Sequence, residues 1–252
     1  LPKGVINVVT NAPADASAVV AALVEHPKVK RVNFTGSTRV GKIIAELAAR
    51  HLKPVLLELG GKAPLIVLDD ADLDEAVNAA AFGAFMHSGQ ICMATEKIVV
   101  IESVADEFAR RLAKKAASLP AGDPGKKPVV LGSLIGTHAA DKTQALIDDA
   151  VAKGAKRLSG GWREGPMMDA TILDHVTPGM RIYDEETFGP AVPIVRAKDE
   201  AEAIRFANDT EYGLSAAVYT KDIARGLRVA RRIESGICHI NGPTIQDEAQ
   251  VP

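Results

Sequence analysis

The 252-residue chain has only two cysteines, Cys92 and Cys238, no excess of charge of either sign and no long apolar run. Two thiols do not make a disulfide framework in a chain of this size, and no charged-then-apolar leader precedes them, so a reducing cytoplasm is the expected setting. Formal net charge is -2, from 30 Lys and Arg against 32 Asp and Glu scattered along the chain. That spread leaves no footprint for nucleic acid or an anionic membrane and points to small-molecule partners. No run approaches the length of a bilayer-spanning helix. Repeats and low-complexity tracts are absent. His87 has no second His or Cys at metal-ligand spacing, so it reads as a loop histidine and no metal site is expected.

Against these absences stand 47% hydrophobic and 25% charged residues, the profile of a globular protein with a substantial core, in one large domain or two moderate ones. The fold class reads as α/β. G-V-I-N-V-V at 4–9 reads as a buried strand, 15–25 has apolar residues at helical spacing, and 31–34 reads as a second strand. Ser37 then caps a helix whose apolar stripe is Val40, Ile43, Ile44, Leu47 and Ala48, followed by a strand at 55–59. The alternation continues with strands at 65–68, 98–101, 192–195, 216–219 and 237–240 and helices at 77–84, 104–112, 143–151 and 223–232, which predicts a parallel sheet with helical crossovers. The glycines at 59–61 mark the expected boundary between two α/β units, with residues 1–59 in one domain and 60–252 in the other. The first residue is Leu1 rather than Met and Pro252 stops within a loop, so the chain reads as a piece of a longer polypeptide.

Chemistry concentrates in four segments. N-F-T-G-S-T-R-V-G (33–41) runs from strand through a glycine turn into a helix start, where free N–H groups favour a phosphate. It lacks the G-x-G-x-x-G dinucleotide pattern, and Ser37 is equally an ordinary N-cap. H-S-G-Q-I-C-M (87–93) places Cys92 in a glycine-flanked loop before a strand. A thiol there faces a cleft as a nucleophile or packs inertly, as Cys238 is expected to do in G-I-C-H-I. L-E-L-G-G-K-A-P (57–64) puts Glu58 at the end of an apolar strand, either satisfied by N–H groups or poised for proton transfer. E-E-T-F-G-P (185–190) sets Glu185 and Glu186 before an aromatic and a turn, by default as a solvated pair.

In chain order, the four segments resemble those of the aldehyde dehydrogenase superfamily: 33–41 its cofactor turn, 57–64 its glutamate signature, 87–93 its cysteine signature and 185–190 its nicotinamide-side segment. The resemblance implies the end of a Rossmann-type cofactor domain followed by an α/β catalytic domain. It makes Cys92 the nucleophile and Glu58 the general base, sets Gly36 and Ser37 against the pyrophosphate of NAD or NADP, gives Glu186 the nicotinamide ribose and packs Phe188 near the nicotinamide. Segments 10–27, 92–100 and 240–250 resemble the bacterial salicylaldehyde and vanillin dehydrogenases, implying an aromatic aldehyde. Met86, Ile91, Met93 and Ile245 are then pocket candidates, though each also reads as ordinary core. Asn11-Ala12-Pro13 stands where many relatives are glycine-rich, so the resemblance does not carry glycine-based cofactor contacts over to those positions. The family's upstream half, with its oxyanion-hole asparagine and adenosine-site lysine, is expected before Leu1, and its oligomerisation strand after Pro252. A segment without them is expected to be poorly stable or inactive alone, and the full-length parent a homo-oligomer. Two other readings stay open: a cysteine-dependent ester or thioester hydrolase, which leaves the 33–41 turn and the 185–190 segment without a role, and a non-catalytic family member, against which retention of Cys92 and Glu58 speaks.

Overall fold

The computed structural model describes residues 1–245; the Q-D-E-A-Q end of the 240–250 segment lies outside them. The chain divides into two compact units, one from Leu1 to Gly60 and one from Gly61 onward.

The first unit is built from α1 (Ala16–Glu25), β1 (Val32–Thr35), α2 (Thr38–Arg50) and β2 (Val55–Glu58). β1 and β2 pair in parallel, with Val32 opposite Val55 and Thr35 opposite Glu58. α2 begins where the Ser37 hydroxyl accepts the Val40 amide at 3.4 Å, which satisfies one of the donors a helix start leaves over. Its inward face is Gly41, Ile44 and Ala48, so the stripe is narrower than the sequence pattern predicts: Ile43 is exposed, and Gly41 faces inward against the Leu59 side chain. Lys53, just past α2, donates its ammonium to the carbonyls of Val24 and His26, tying down the end of α1.

One expectation fails in this unit. Residues 4–9 form no strand, and Val5, Ile6, Val8 and Val9 are exposed. A strand exists only in a ladder, and this apolar run has no ladder partner among the described residues; periodicity reports a segment's burial preference and cannot supply the neighbour.

The second unit is a doubly wound sheet. Its strands are β3 (Ala63–Val67), β4 (Thr95–Ile101), β5 (Lys156–Ser159), a small hairpin of β6 (Arg163–Glu164) and β7 (Met167–Met168), β8 (Thr171–Asp174), β9 (Ala191–Ala197), β10 (Ser215–Tyr219) and β11 (Ile237–Ile240). The seven-stranded sheet has the order β11-β10-β3-β4-β9-β8-β5, parallel throughout except for β5 against β8. Side chains alternate faces along a strand, and the core divides accordingly. Leu65, Val67, Ile98, Val100 and Ile194 pack with α3 (Leu73–Phe85) and α4 (Glu102–Ala117). Ile66, Val99, Ile101 and Val195 pack with α5 (Thr137–Ala152), α6 (Arg181–Asp184), α7 (Glu200–Asn208) and α8 (Ile223–Ala230). Strands covered on both faces read as continuous apolar runs, which is why they were visible in sequence; β5 to β8, α6 and α7 carry weaker patterns and were not. β4 nevertheless begins with two buried charges, Glu96 and Lys97. Lys97 donates to the carbonyls of Phe206 and Asp209 and lies 3.8 Å above the Tyr183 ring, and burial pushes its ammonium down to about 8. No helix among the described residues is long and apolar enough to cross a membrane.

Candidate active site

β3, β4 and β9 are consecutive neighbours in the sheet and run parallel. The residues that precede them, 61–62, 91–94 and 185–190, therefore emerge together at one end. Ligands in open parallel sheets usually gather at the carboxyl ends of strands; here the candidates Cys92, Glu186 and Phe188 lie at the amino ends.

Glycine brings the three loops into backbone contact. A β-carbon on Gly61 would collide with the Cys92 carbonyl oxygen, and one on Gly89 with the Gly189 carbonyl oxygen. Gly89 is also left-handed, with φ 74°, and follows two non-glycine residues in the same region, His87 at 52° and Ser88 at 57°. Three consecutive left-handed residues reverse the chain sharply and store strain, a combination that clusters at functional sites. The reversal is anchored by the Ser88 hydroxyl, which donates to the Gly132 carbonyl at 3.2 Å, and by the Gln90 side-chain oxygen, which accepts the Ile135 amide at 2.8 Å. Cys92 follows as a half-buried free thiol.

The carboxylates 185 and 186 are not one solvated pair. Glu185 pairs with Arg181 at 2.7 Å, and that guanidinium holds its carboxyl below the usual range. Glu186 turns inward and accepts the Gly61 amide at 2.9 Å. Burial pushes its carboxyl above the usual range, against the pull of the Gly61 amide and helped by nearby Glu96. Phe188 has φ 49°, an unusual value for an aromatic residue, and is 39% exposed.

Sequence reasoning passed over the groups that hold this segment. Lys62 and Glu96 are buried and paired at 2.8 Å. Glu96 also accepts the amides of Thr187 and Phe188, both at 2.8 Å at closest, and Lys62 donates to the Glu185 carbonyl at 2.7 Å. The signal available was a charge at the head of an otherwise apolar strand, T-E-K-I-V-V-I, since charges are almost never fully buried unless paired.

In the first unit, Gly36, Ser37 and Glu58 come together on their own account. Thr35 pairs with Glu58 across the two strands, and the Gly36 amide donates to the Glu58 carbonyl at 2.9 Å. Gly36 and Ser37 are exposed, and the first-turn amides of α2 have no acceptor within the helix. Of the pocket candidates, Met86 lines an apolar groove of about 420 Å³ with Phe82, Phe85 and Leu119. Ile91 and Met93 flank Cys92 outside that groove, and Ile245 is half-buried. Among the described residues no cluster of His, Cys, Asp or Glu has the makings of a metal site.

The model of the aldehyde dehydrogenase family matches residues 1–252. A vanillin dehydrogenase of Pseudomonas sp. (strain HR199 / DSM 7063) is 57% identical over 252 residues, covering 100% of this chain and 52% of that protein. A salicylaldehyde dehydrogenase of Pseudomonas putida is 53% identical over 253 residues, with 100% and 52% covered. The crystal structure of a salicylaldehyde dehydrogenase from Pseudomonas putida G7 complexed with salicylaldehyde superposes with a TM-score of 0.97 at 53% identity, over 100% of this chain and 52% of that one. The chain thus spans about half the length of these relatives. Proteins named as NAD-dependent and as NADP-dependent both occur among its matches.

Proposed function

The chain belongs to the aldehyde dehydrogenase family, and on that premise we propose that the protein oxidises aromatic aldehydes of the salicylaldehyde and vanillin kind to carboxylic acids, with NAD or NADP as cofactor. The observation that carries the proposal is the convergence of Cys92, ahead of β4, with Glu186 and Phe188, ahead of β9, at the amino ends of two adjacent parallel strands. A cysteine hydrolase would leave the 33–41 turn and the 185–190 segment without a role. Residues 1–59 are then the end of the cofactor domain and 60–252 the catalytic domain. A cytoplasmic homo-oligomer belongs to the same proposal.

The donor set fits a dinucleotide. Exposed Gly36 and Ser37 at the start of a 13-residue helix suit a pyrophosphate. The Glu186 carboxylate suits the hydroxyl pair of a ribose, and Phe188 suits the face of a flat ring. Cys92 begins the chemistry: its thiolate adds to the aldehyde carbonyl, forming a C–S bond and an oxyanion toward which the Cys92 amide donates. When bound, the nicotinamide supplies the hydride acceptor that leaves a thioester on Cys92. Glu58 takes a proton from water, the resulting hydroxide attacks the thioester, the C–S bond breaks and the acid leaves as the thiol is restored.

The test mixes the full-length protein with NAD or NADP and, in turn, vanillin, salicylaldehyde and an aliphatic semialdehyde, and follows the absorbance of reduced cofactor. Faster reduction with the aromatic aldehydes is expected; none with any aldehyde would refute the reading. Gly61 offers a geometric check. Gly61→Ala drives a methyl group into the Cys92 carbonyl and shifts the thiol by about an ångström, so kcat/KM is expected to fall about 10²-fold with circular dichroism unchanged. Full activity in that variant would mean that the contact does not set the thiol.

A further inference from the structure

The segment carrying Glu186 and Phe188 has no regular structure of its own. α6 ends at Asp184 and β9 begins at Ala191, and Phe188 sits in a left-handed conformation that a bulky residue avoids. Something outside the segment must hold it. We propose that the buried Lys62–Glu96 pair is a positioning device that sets the cofactor-side segment 185–188 against the Cys92 loop; the proposal rests on the functional reading given above.

The contacts support this because they run almost entirely to that segment. Both Glu96 oxygens accept the Thr187 amide, at 2.8 and 3.1 Å, and one accepts the Phe188 amide at 2.8 Å. Lys62 donates to the Glu185 carbonyl at 2.7 Å and to the Thr187 hydroxyl at 3.3 Å, and its remaining partner is Glu96 at 2.8 Å. Lys62 immediately precedes β3 and Glu96 is the second residue of β4, the strands that Gly61 and Cys92 lead into. Cys92 is four residues before Glu96, and Gly61, which donates to Glu186, is next to Lys62. The pair therefore spans all three loops. Stability alone does not explain it: a buried ion pair commonly gives no more stability than apolar residues of similar volume, whereas it fixes geometry where its bonds are directional. Lys142 adds an outer tie, donating to the Glu186 carbonyl at 2.7 Å.

The experiment compares the full-length protein with the double variant Lys62→Met/Glu96→Gln, which removes both charges together. Two activities are measured beside cofactor affinity by calorimetry: aldehyde-dependent cofactor reduction, and hydrolysis of p-nitrophenyl acetate without cofactor, which needs Cys92 acylation and water attack but no segment 185–188. The expected result is an affinity for cofactor weakened about tenfold and a lower kcat for the aldehyde, with ester hydrolysis within about twofold of the parent. Equal loss of both activities, or unchanged cofactor affinity, would overturn the proposal. If the double variant does not fold, Glu96→Gln alone keeps the side-chain shape and one acceptor oxygen, with an expected weakening of about threefold read in the same way. A parent that hydrolyses the ester but reduces no cofactor with any aldehyde would sink the functional reading, and this proposal with it. A parent active in both assays whose variants change neither would sink only the positioning role.

Discussion

Alanine at position 92 is expected to abolish aldehyde-dependent reduction of cofactor, lowering kcat/KM by at least about 10⁴-fold, because no other group can form and release the covalent adduct. The loss should be chemical and not structural. Cys92 is half-buried in a loop held by Ser88, Gln90 and the glycine contacts, none of which uses the sulfur. Cofactor affinity and melting temperature should therefore stay near the parent values. Cys238→Ala is the control. That thiol is half-buried on the edge strand β11 and pushed up to about 11 by burial, so it is a poor nucleophile at neutral pH, and its removal should leave turnover within about twofold. Appreciable turnover by Cys92→Ala, or its loss in Cys238→Ala, would assign the chemistry to the wrong sulfur.

Glu58→Gln should separate the two halves of the reaction. General-base assistance is worth about 10² to 10⁴ in rate, so steady-state turnover is expected to fall by about 10³-fold, in the step that releases the acid. The substitution keeps the shape of the side chain, and the Glu58 carbonyl still accepts the Gly36 amide, so the strand end and the cofactor turn stay in register. In rapid mixing, a burst of about one reduced cofactor per Cys92 should persist before the slow phase, because hydride leaves before water attacks. Loss of burst and slow phase in equal measure would remove Glu58 from the base role and return it to the hydrogen-bonded strand end that the sequence equally allowed.

Much of this was legible in the chain itself, for an identifiable reason. β3, β4, β9 and β10 are buried on both faces, so each had to be an apolar run, and apolar runs between helical patterns announce a parallel sheet. Ser37 was readable as a cap because capping is decided within four residues. Local patterns failed where the outcome depended on a distant partner. The run at 4–9 is as apolar as a core strand and forms none. Glu185 and Glu186 are identical in sequence terms, yet Arg181 draws one outward and the Gly61 amide draws the other inward.

The sequence by itself determined which residues are candidates for chemistry: one thiol in a glycine-flanked loop, a carboxylate ending an apolar strand, a capped glycine turn. These identities are properties of side chains and of their immediate neighbours. Only the tertiary structure decided their company. Gly61, Cys92 and Glu186 are separated along the chain by tens of residues and meet because β3, β4 and β9 are parallel neighbours, so their leading loops leave the sheet at one end. The same packing buried Lys62 and Glu96, and burial is what turns two ordinary charges into a directional clamp: with no water to satisfy them, each must find its partners in the loop between α6 and β9.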